Sequence, residues 1–189
     1  MIVGLVLAAG LSRRMGRPKL LLPLDGKPLV RWSAEALAPF VDALFVVTPP
    51  ADRELRAALA GLPVRFVVNP RPEDGQGTSI AAGAAALPPD TEAVVIALGD
   101  QPRMPAHVVA EVLAAFRREG QPIAAPVFAG TQGTPVVFAA SMFDELRALA
   151  GDEGARVVVR RDPARVARVP IDMPMPPDVD TPEDYARLV

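Results

Sequence analysis

Short apolar runs recur along the chain and alternate with stretches in which the apolar residues follow a helical spacing. The runs that predict buried strands are residues 2–8, 43–48, 64–68, 93–98 and 123–128. The stretches that predict helices are residues 29–38, 52–60, 78–87 and 106–118. Strands and helices that alternate with short connections are typical of a parallel sheet with helices on both faces. The pattern therefore predicts an α/β fold with a doubly wound, mostly parallel sheet.

The alternation becomes irregular after about residue 122. Residues 123–128 and 134–139 flank the short polar segment 129–133, which predicts an antiparallel, hairpin-type pair. Further helices are predicted at 142–150, 155–161 and 182–188. There is no internal repeat, low-complexity tract or linker, so we expect one domain over residues 1–189 with an antiparallel element in its C-terminal part.

Composition excludes several classes of function. Half of the 189 residues are apolar and the formal net charge is −2, so the chain is neither disordered nor strongly basic, and we expect no nucleic-acid partner. There is no cysteine and only one histidine, His107. Disulfides, thiolate metal sites and cysteine nucleophiles are therefore excluded, and a histidine-based zinc site or a Ser-His triad would depend on a single residue.

The N-terminal apolar run is too short to span a bilayer, and no cationic segment precedes it. We therefore expect neither a signal peptide nor a membrane anchor, and a cytoplasmic protein.

The first predicted strand leads into a loop of small and basic residues. The loop contains Gly10 and Gly16 together with Arg13 and Arg14, and Lys19 follows it. Glycines allow backbone N–H groups to approach phosphate oxygens, and the cations neutralise phosphate charge. This combination indicates a polyanionic ligand such as a nucleoside triphosphate. The alternative is a surface loop whose basic residues only improve solubility.

Two well-known phosphate motifs do not match this loop. A P-loop requires Lys and Ser or Thr after its last glycine, whereas Arg17 and Pro18 follow Gly16 here. A dinucleotide-binding fingerprint requires G-x-G-x-x-G, and the segment that begins at Gly10 breaks that spacing.

Candidate motifs follow three of the predicted strands. They are the loop after the first strand, residues 75–79 after the third, and Gly99-Asp100 after the fourth. Ligands of open α/β sheets bind beyond the carboxyl ends of the strands. We therefore expect these motifs to meet at one edge of the sheet.

Five motifs resemble one family, in the same order along the chain. The spacing G-x-S-x-R-M-G-x-x-K occurs at Gly10, Ser12, Arg14, Met15, Gly16 and Lys19. Then follow L-G-D-Q-P at 98–102, G-T-P-V-V-F at 133–138, G-D-E-G-A-R at 151–156 and D-V-D-T-P-E-D-Y at 178–185. Together they resemble the molybdopterin nucleotidyltransferase-like family, which includes molybdenum cofactor cytidylyltransferases and guanylyltransferases and, more distantly, sugar-phosphate nucleotidyltransferases. The resemblance implies a Rossmann-like nucleotidyltransferase fold and Mg²⁺-dependent nucleotidyl transfer with release of pyrophosphate.

The resemblance implies a metal site of two acids. Asp100, at the end of a predicted strand, is the first candidate ligand, and Asp180 the second, with Asp178 as the alternative to Asp180. Carboxylates are the protein ligands that Mg²⁺ prefers. The structural alternatives are a turn at Gly99-Asp100 and, for the second motif, a helix start with Thr181 as N-cap.

The resemblance also implies how the nucleotide is held. Lys19 and Arg14 are expected to bind the triphosphate, and Lys19, Arg14 and Asp100 are the candidate catalytic residues. The residues expected to bind the nucleotide are Ala8, Ala9, Gly10, Ser12, Gly77 and Ser79. For Ser79, or for Thr78 beside it, the alternative is a plain helix N-cap.

The Ala8-Ala9 pair resembles the cytidylyl-transferring members, whereas guanylyl-transferring members tend to have Gly-Gly there. Two methyl groups narrow a cleft, which favours the smaller pyrimidine and hence CTP over GTP. On the acceptor side, Gly133-Thr-Pro occupies a place where relatives often carry Gly-His-Pro or Gly-Asn-Pro. Thr134 departs from that pattern, so the acceptor stays open between a phosphorylated pterin, as in molybdenum cofactor, and another small phosphorylated metabolite. A third possibility is a non-catalytic accessory protein that binds a nucleotide or delivers cofactor to a molybdoenzyme.

Overall fold

The computed structural model describes all 189 residues, Met1–Val189. The strands are β1 Ile2–Leu7, β2 Pro23–Leu24, β3 Lys27–Pro28, β4 Ala43–Thr48, β5 Val64–Val68, β6 Ala93–Leu98, β7 Ile123–Phe128, β8 Thr131–Gln132, β9 Val136–Ala139 and β10 Val166–Ile171. The α-helices are α1 Leu29–Leu37, α2 Arg53–Ala58, α3 Gln76–Ala85, α4 Ala106–Glu119, α5 Phe143–Arg147, α6 Ala155–Arg161 and α7 Pro182–Ala186. None of these helices has the length and apolar character needed to cross a membrane.

Eight strands form one sheet in the order β10-β7-β9-β6-β1-β4-β5, with β8 paired to β7. β1 is parallel to both of its neighbours, β4 and β6, and the pairs β4–β5 and β7–β10 are also parallel. β9 is antiparallel to β6 and β7. The predicted α/β fold with a mostly parallel sheet and a C-terminal antiparallel element is confirmed.

The antiparallel element differs from the predicted hairpin. β9 pairs with β7 only at Ile123↔Phe138 and Ala124↔Val137, and its longer ladder is with β6. The hairpin partner of β7 is the short β8. The chain therefore makes its turn with β8 and then inserts β9 between β6 and β7, a long-range pairing that local sequence does not specify.

β10 is a strand that the apolar pattern did not predict. It lies at one edge of the sheet, where the exposed residues Arg168 and Pro170 alternate with the buried residues Ala167, Val169 and Ile171. Proline cannot donate to a ladder and is tolerated at sheet edges. Arg168 and Pro170 thus break the apolar run without preventing the strand.

Residues of β1 alternate between the two faces of the sheet. Ile2, Val6 and the following Ala8 pack into the apolar layer beneath α1, α2 and α4. Leu5 and Ala9 pack into the opposite layer, beneath α3, α5 and α6. The alternation continues past the end of β1, so the two alanines after the strand belong to different sides of the molecule.

A third, smaller apolar cluster lies at the carboxyl end of the sheet. Its buried members are Met15, Leu22, Leu24, Leu29 and Val179. It therefore joins the loop after β1 to the segment that precedes α7. These two segments contain the basic and acidic motifs of the sequence.

α3 begins two residues earlier than predicted. Its N-cap is Gly75, whose φ of 100° lies in the region that favours glycine. A cap at Thr78 or Ser79 is therefore wrong. The Thr78 hydroxyl instead donates to the carbonyl of Gly75 at 2.8 Å, within the first turn of the helix.

Candidate active site

The loop after β1 folds back over the carboxyl end of the sheet. Ser12 has a φ of 51°, and its carbonyl accepts hydrogen bonds from the amides of Met15 and Gly16. Its hydroxyl accepts a hydrogen bond from the Lys19 amide at 3.2 Å. Met15 is buried in the small apolar cluster. Ser12 and Met15 thus fix the loop, while Arg14 and Lys19 project from it.

Lys19 lies at the centre of the site. Its Nζ is 2.6 Å from Asp100 Oδ2 and 2.8 Å from Asp180 Oδ1, although the residue is only 8 % exposed. A charge removed from water is tolerated only when it is paired, and here two carboxylates pair with it. Burial alone would lower the pKa of Lys19, but Asp100 and Asp180 outweigh it and raise the pKa above its ordinary value. The ammonium therefore stays charged at neutral pH.

Asp180 connects the two cations of the site. Its second oxygen, Oδ2, accepts a hydrogen bond from Arg14 Nη2 at 2.8 Å. Partial burial would raise the pKa of Asp180, but the hydrogen bonds and charges of Lys19 and Arg14 lower it below its ordinary value. The structure thus brings together four residues that the sequence placed up to 166 positions apart.

The carboxylates of Asp100 and Asp180 are suited to a divalent cation. Both approach the same ammonium, so they lie close enough to share one ion. Asp100 Oδ1 is buried and has no hydrogen-bond partner, which leaves an oxygen available as a ligand. Mg²⁺ and Mn²⁺ are commonly held by one or two carboxylates, with phosphate oxygens and water as the other ligands. The residues present therefore fit such an ion.

Asp178 has different partners from Asp180. Its Oδ1 accepts a hydrogen bond from Gln101 Nε2 at 2.5 Å, and the Gln101 carbonyl accepts one from the Thr134 hydroxyl. Although the residue keeps an exposed face, burial of its carboxyl and then the charge of Asp100 raise the pKa of Asp178. Of the two acids considered for the second ligand, Asp180 is the one that contacts Lys19.

The predicted helix start at the second acidic motif is confirmed. The Thr181 hydroxyl accepts a hydrogen bond from the Asp184 amide, and Asp184 Oδ2 accepts from the amides of Thr181 and Asp180. This is a capping box with Pro182 in the first helical turn. The capping carboxylate is Asp184, so the capping role leaves the carboxylate of Asp180 free for the site.

Two adjoining clefts open beside Lys19. One, of about 320 Å³, lies between the β1 loop and a wall that includes Pro72, Gly75 and Asp152. The other, of about 200 Å³, is lined by Ala9, Gly10, Gln76, Ser79, Asp100 and neighbouring residues. Of the residues predicted to bind the nucleotide, Ala9, Gly10, Ser12 and Ser79 thus line the clefts beside Lys19.

Two residues predicted to bind the nucleotide do not line these clefts. The Ala8 amide donates to the Val47 carbonyl at 2.8 Å, and the residue lines a third cavity, of about 670 Å³, which borders the same β1 loop on the α2 side. The Gly77 amide donates to the Gly151 carbonyl at 2.8 Å, and a Cβ on Gly77 would lie 2.6 Å from the Ala150 oxygen. Ala8 is turned away by the alternation of β1, and Gly77 serves close packing of α3.

The wall opposite the loop contains Gly75 and Gln76 of the predicted segment 75–79, together with Pro72 and Asp152, which sequence reasoning missed. A signal was present in the motif at 151–156, to which no role was given. A Cβ on Gly75 would lie 2.4 Å from the Gly151 carbonyl carbon, so only glycine lets these two segments meet. The motif at 151–156 therefore closes the cleft through packing against the start of α3.

A comparison with protein families identifies this arrangement. Residues 4–169 match the family described as the MobA-like NTP transferase domain. The chain belongs to this MobA-like family. The predicted resemblance is thereby confirmed, and the protein is a nucleotidyltransferase of the MobA-like type. The match ends before Asp178 and Asp180, so the assignment of these acids depends on the geometry described above.

Three curated relatives align with nearly the whole MobA-like chain. The purine catabolism protein PucB of Bacillus subtilis is 32 % identical, with 97 % of this chain and 94 % of the relative covered. A protein named nicotine blue oxidoreductase, from Paenarthrobacter nicotinovorans, is 33 % identical, with 100 % of this chain and 96 % of the relative covered. The molybdenum cofactor guanylyltransferase of Rhodobacter capsulatus is 34 % identical, with 98 % of this chain and 94 % of the relative covered.

Solved structures of similar chains have the same fold. A homologue of Mycobacterium tuberculosis Rv0371c from Mycobacterium sp. strain JC1 is 34 % identical and gives a TM-score of 0.84, with 99 % of this chain and 94 % of that chain covered. Rv0371c itself, in a complex with manganese, is 30 % identical and gives a TM-score of 0.81, with 99 % of this chain and 96 % of that chain covered.

Proposed function

We propose that this protein transfers a cytidylyl group from CTP to a phosphorylated pterin of the molybdenum cofactor type, with Mg²⁺ and with release of pyrophosphate, and that residues 1–189 act as one domain. The observation that carries the proposal is the contact of Lys19 with both Asp100 and Asp180, with Arg14 bound to the second carboxylate. Two cations and two carboxylates at the carboxyl end of the sheet fit a triphosphate that binds together with a divalent ion: the cations can bind phosphate oxygens, and the carboxylates can bind the ion.

The cations of the site compensate the charge of the triphosphate. Arg14 is a forked donor suited to two phosphate oxygens, and Lys19 is a compact charge that lines both clefts. Gly10 lines both clefts and has no Cβ, so phosphate oxygens can approach its backbone. These groups hold the triphosphate against the β1 loop.

Asp100 and Asp180 would hold the magnesium ion. When bound, the ion supplies Lewis-acid polarisation of phosphate oxygens. The buried Oδ1 of Asp100, which has no partner within the protein, supports this assignment.

The reaction joins two anions, so its main requirement is positioning and charge compensation. An oxygen of the acceptor phosphate forms a bond to the α-phosphorus of CTP, while the bond from that phosphorus to the bridging oxygen of pyrophosphate breaks. The acceptor phosphate is largely deprotonated at neutral pH, because its second pKa is about 6. No general base is therefore needed, and Lys19 and Arg14 reduce the repulsion between the reactants.

Ala9 supports the choice of CTP. Ala9 lines the smaller cleft together with Gln76 and Ser79. A methyl group there takes space that a purine would need. Of the two alanines that suggested CTP, Ala9 alone lines this cleft, because Ala8 faces the other side.

We propose that the acceptor binds on the side of Asp100 that carries Thr134, Gln101 and Asp178. These side chains are joined by hydrogen bonds, and the Val179 amide binds the Asp100 carbonyl at 3.0 Å. Hydroxyl, amide and carboxyl groups can together bind the amide and amino groups of a pterin ring. Thr134 could equally contact a phosphate, so another small phosphorylated metabolite is the second candidate acceptor.

The test is a turnover assay with each of the four nucleoside triphosphates, Mg²⁺, molybdopterin and a panel of other phosphorylated acceptors. Pyrophosphate release and product mass are measured. We expect activity that needs both CTP and the pterin, and loss of about 100-fold or more with Asp100→Asn. Asp172→Asn removes an exposed acid of the same C-terminal segment and should retain activity.

Each other outcome corrects a different part of the proposal. Activity with GTP alone would overturn the base assignment. Activity with a different acceptor alone would favour the second candidate. Nucleotide binding without any turnover would favour an accessory protein that binds a nucleotide or serves a molybdoenzyme.

A further inference from the structure

Lys19 occupies the position that the two carboxylates would otherwise offer to a metal ion. Its ammonium contacts Asp100 Oδ2 at 2.6 Å and Asp180 Oδ1 at 2.8 Å. An ammonium and a divalent cation cannot both bind these oxygens, because like charges repel strongly at such distances in a partly buried site. In the structure the Lys19 ammonium therefore neutralises one oxygen of each acid.

We propose that Lys19 closes the metal site until a nucleotide binds, so that divalent cation and nucleotide bind this protein cooperatively. The inference deepens the proposed function and rests on it, because the triphosphate is the ligand that draws Lys19 away from the acids. In the resting protein Lys19 neutralises Asp100 and Asp180, and in the complex it binds phosphate.

The side chain can make this movement without rearrangement of the loop. The Lys19 amide is anchored to the Ser12 hydroxyl at 3.2 Å, which fixes the backbone. The ammonium is carried on a flexible four-carbon stem, and Lys19 lines both the 320 Å³ cleft and the 200 Å³ cleft. Rotation of the stem alone therefore moves the charge from the carboxylates toward either cleft.

The charge balance explains why the divalent cation and the nucleotide should each strengthen the binding of the other. A metal ion that arrives alone must displace Lys19 and leave a buried ammonium without a partner, which is costly. A nucleotide that takes up Lys19 and Arg14 leaves two carboxylates without cations, and a divalent ion then restores neutrality. Because linkage is reciprocal, the metal raises nucleotide affinity by the same factor.

The experiment measures Mn²⁺ binding by electron paramagnetic resonance and water proton relaxation, with no turnover involved. Nucleotide-free protein is titrated with Mn²⁺ alone, and then with Mn²⁺ in the presence of a non-hydrolysable CTP analogue. We expect Mn²⁺ affinity of the protein to rise about 10-fold or more with the analogue, within the range usual for coupled sites. Equal affinity in both titrations would overturn the proposal.

Lys19→Met removes the charge and keeps the length of the stem. We expect the nucleotide-free variant to bind Mn²⁺ about 10-fold more tightly than the unmodified protein. Asp100→Asn added to Lys19→Met should abolish this gain, which places the ion at the carboxylates. Lys27→Met is the matched control, because Lys27 pairs with Glu35 at 2.7 Å on α1, away from both clefts, and should change nothing. No gain in Lys19→Met, with the fold verified by circular dichroism, would also overturn the proposal.

Failure of this inference is distinguishable from failure of the proposed function. CTP turnover together with nucleotide-independent Mn²⁺ binding would retain the function and reject the closing role of Lys19. A gain of Mn²⁺ affinity in Lys19→Met, together with no turnover of any nucleotide by the unmodified protein, would support the closing role and reject the transferase proposal.

Discussion

Adjacent residues at the end of β1 have unrelated surroundings. Ala8 belongs to the apolar layer under α1, α2 and α4, and Ala9 to the layer under α3. The two alanines are adjacent in the sequence motif, but consecutive side chains of a strand point to opposite faces of the sheet. Only the second alanine lines the smaller of the two clefts beside Lys19.

Ala9→Gly should therefore relax the preference for CTP. Removal of one methyl group from a cleft wall changes discrimination by about 10-fold or more. We expect the ratio of kcat/KM for GTP to that for CTP to rise by this amount. Ala8→Gly is the control, because it makes the same change on the other side of the strand and should leave the ratio unaltered. An equal effect of both substitutions would contradict a steric role for Ala9.

The four charged residues of the site were predictable because each lies in a loop at the carboxyl end of the sheet or in a family motif. Lys19, Arg14, Asp100 and Asp180 indeed converge. Gly77, by contrast, lines neither cleft, because its amide binds the Gly151 carbonyl and its α-carbon packs against Ala150. Asp152 was not assigned, since only long-range packing brings its segment to the cleft.

At the level of elements, the start of α7 distinguishes an acid that caps the helix from an acid that contacts Lys19 and Arg14. Asp184 completes the capping box with Thr181, whereas Asp180 turns its carboxylate to Lys19 and Arg14. The two acids are four residues apart in sequence and look equivalent there.

Asp184→Ala and Asp180→Asn should have opposite consequences. The first removes the capping carboxylate and should lower Tm while the enzyme keeps its kcat. The second should reduce kcat by about 100-fold or more, because it removes a proposed metal ligand, with a smaller change in Tm. Thermal unfolding and pyrophosphate release measured on both variants provide the check. Loss of activity in Asp184→Ala at a temperature where it is fully folded would argue against this division of roles.

A second ionic cluster joins α5 to the approach to β10. Glu145 accepts hydrogen bonds from Arg165 at 2.5 Å and from Arg161 at 3.2 Å. The hydrogen bond from Arg165 lowers the pKa of Glu145, and despite partial burial the two arginines keep it below its ordinary value of 4.5. Because the folded pKa is the lower one, this contribution to stability is complete above pH 4.5 and disappears as the pH falls through the folded value.

Glu145→Gln should therefore destabilise the protein near pH 7 and make progressively less difference below pH 4.5. The difference in unfolding free energy should be no more than about 1 kcal/mol, because the pair is partly exposed. Urea unfolding of both proteins between pH 3.5 and 7 measures it. A difference that stays constant over this range would show that the charge of Glu145 is not responsible.

At the level of the whole molecule, the alternation of strands and helices along the sequence, together with the family motifs, predicted the parallel half of the sheet. The insertion of β9 between β6 and β7 was not predictable, because it depends on which non-neighbouring strands offer matching edges. Likewise, no local pattern indicated that the β1 loop and the segment before α7 share an apolar cluster. That cluster, through Met15 and Val179, is what connects the basic motif to the acidic motif.

Met15→Ala tests whether this cluster positions the site. Met15 is 5 % exposed and Val179 is fully buried, so truncation should cost about 2–5 kcal/mol of stability. If the cluster holds Arg14 and Lys19 against Asp180, the variant should also have a raised KM for the nucleotide at a temperature where it is folded. Leu37→Ala is the control, because Leu37 is equally buried but packs on β1 away from the loop. It should lower stability by a similar amount and leave KM unchanged, since a general loss of stability does not move the charged residues relative to one another. An equal rise of KM in both variants would mean that stability alone, and not the link between the two motifs, controls nucleotide binding.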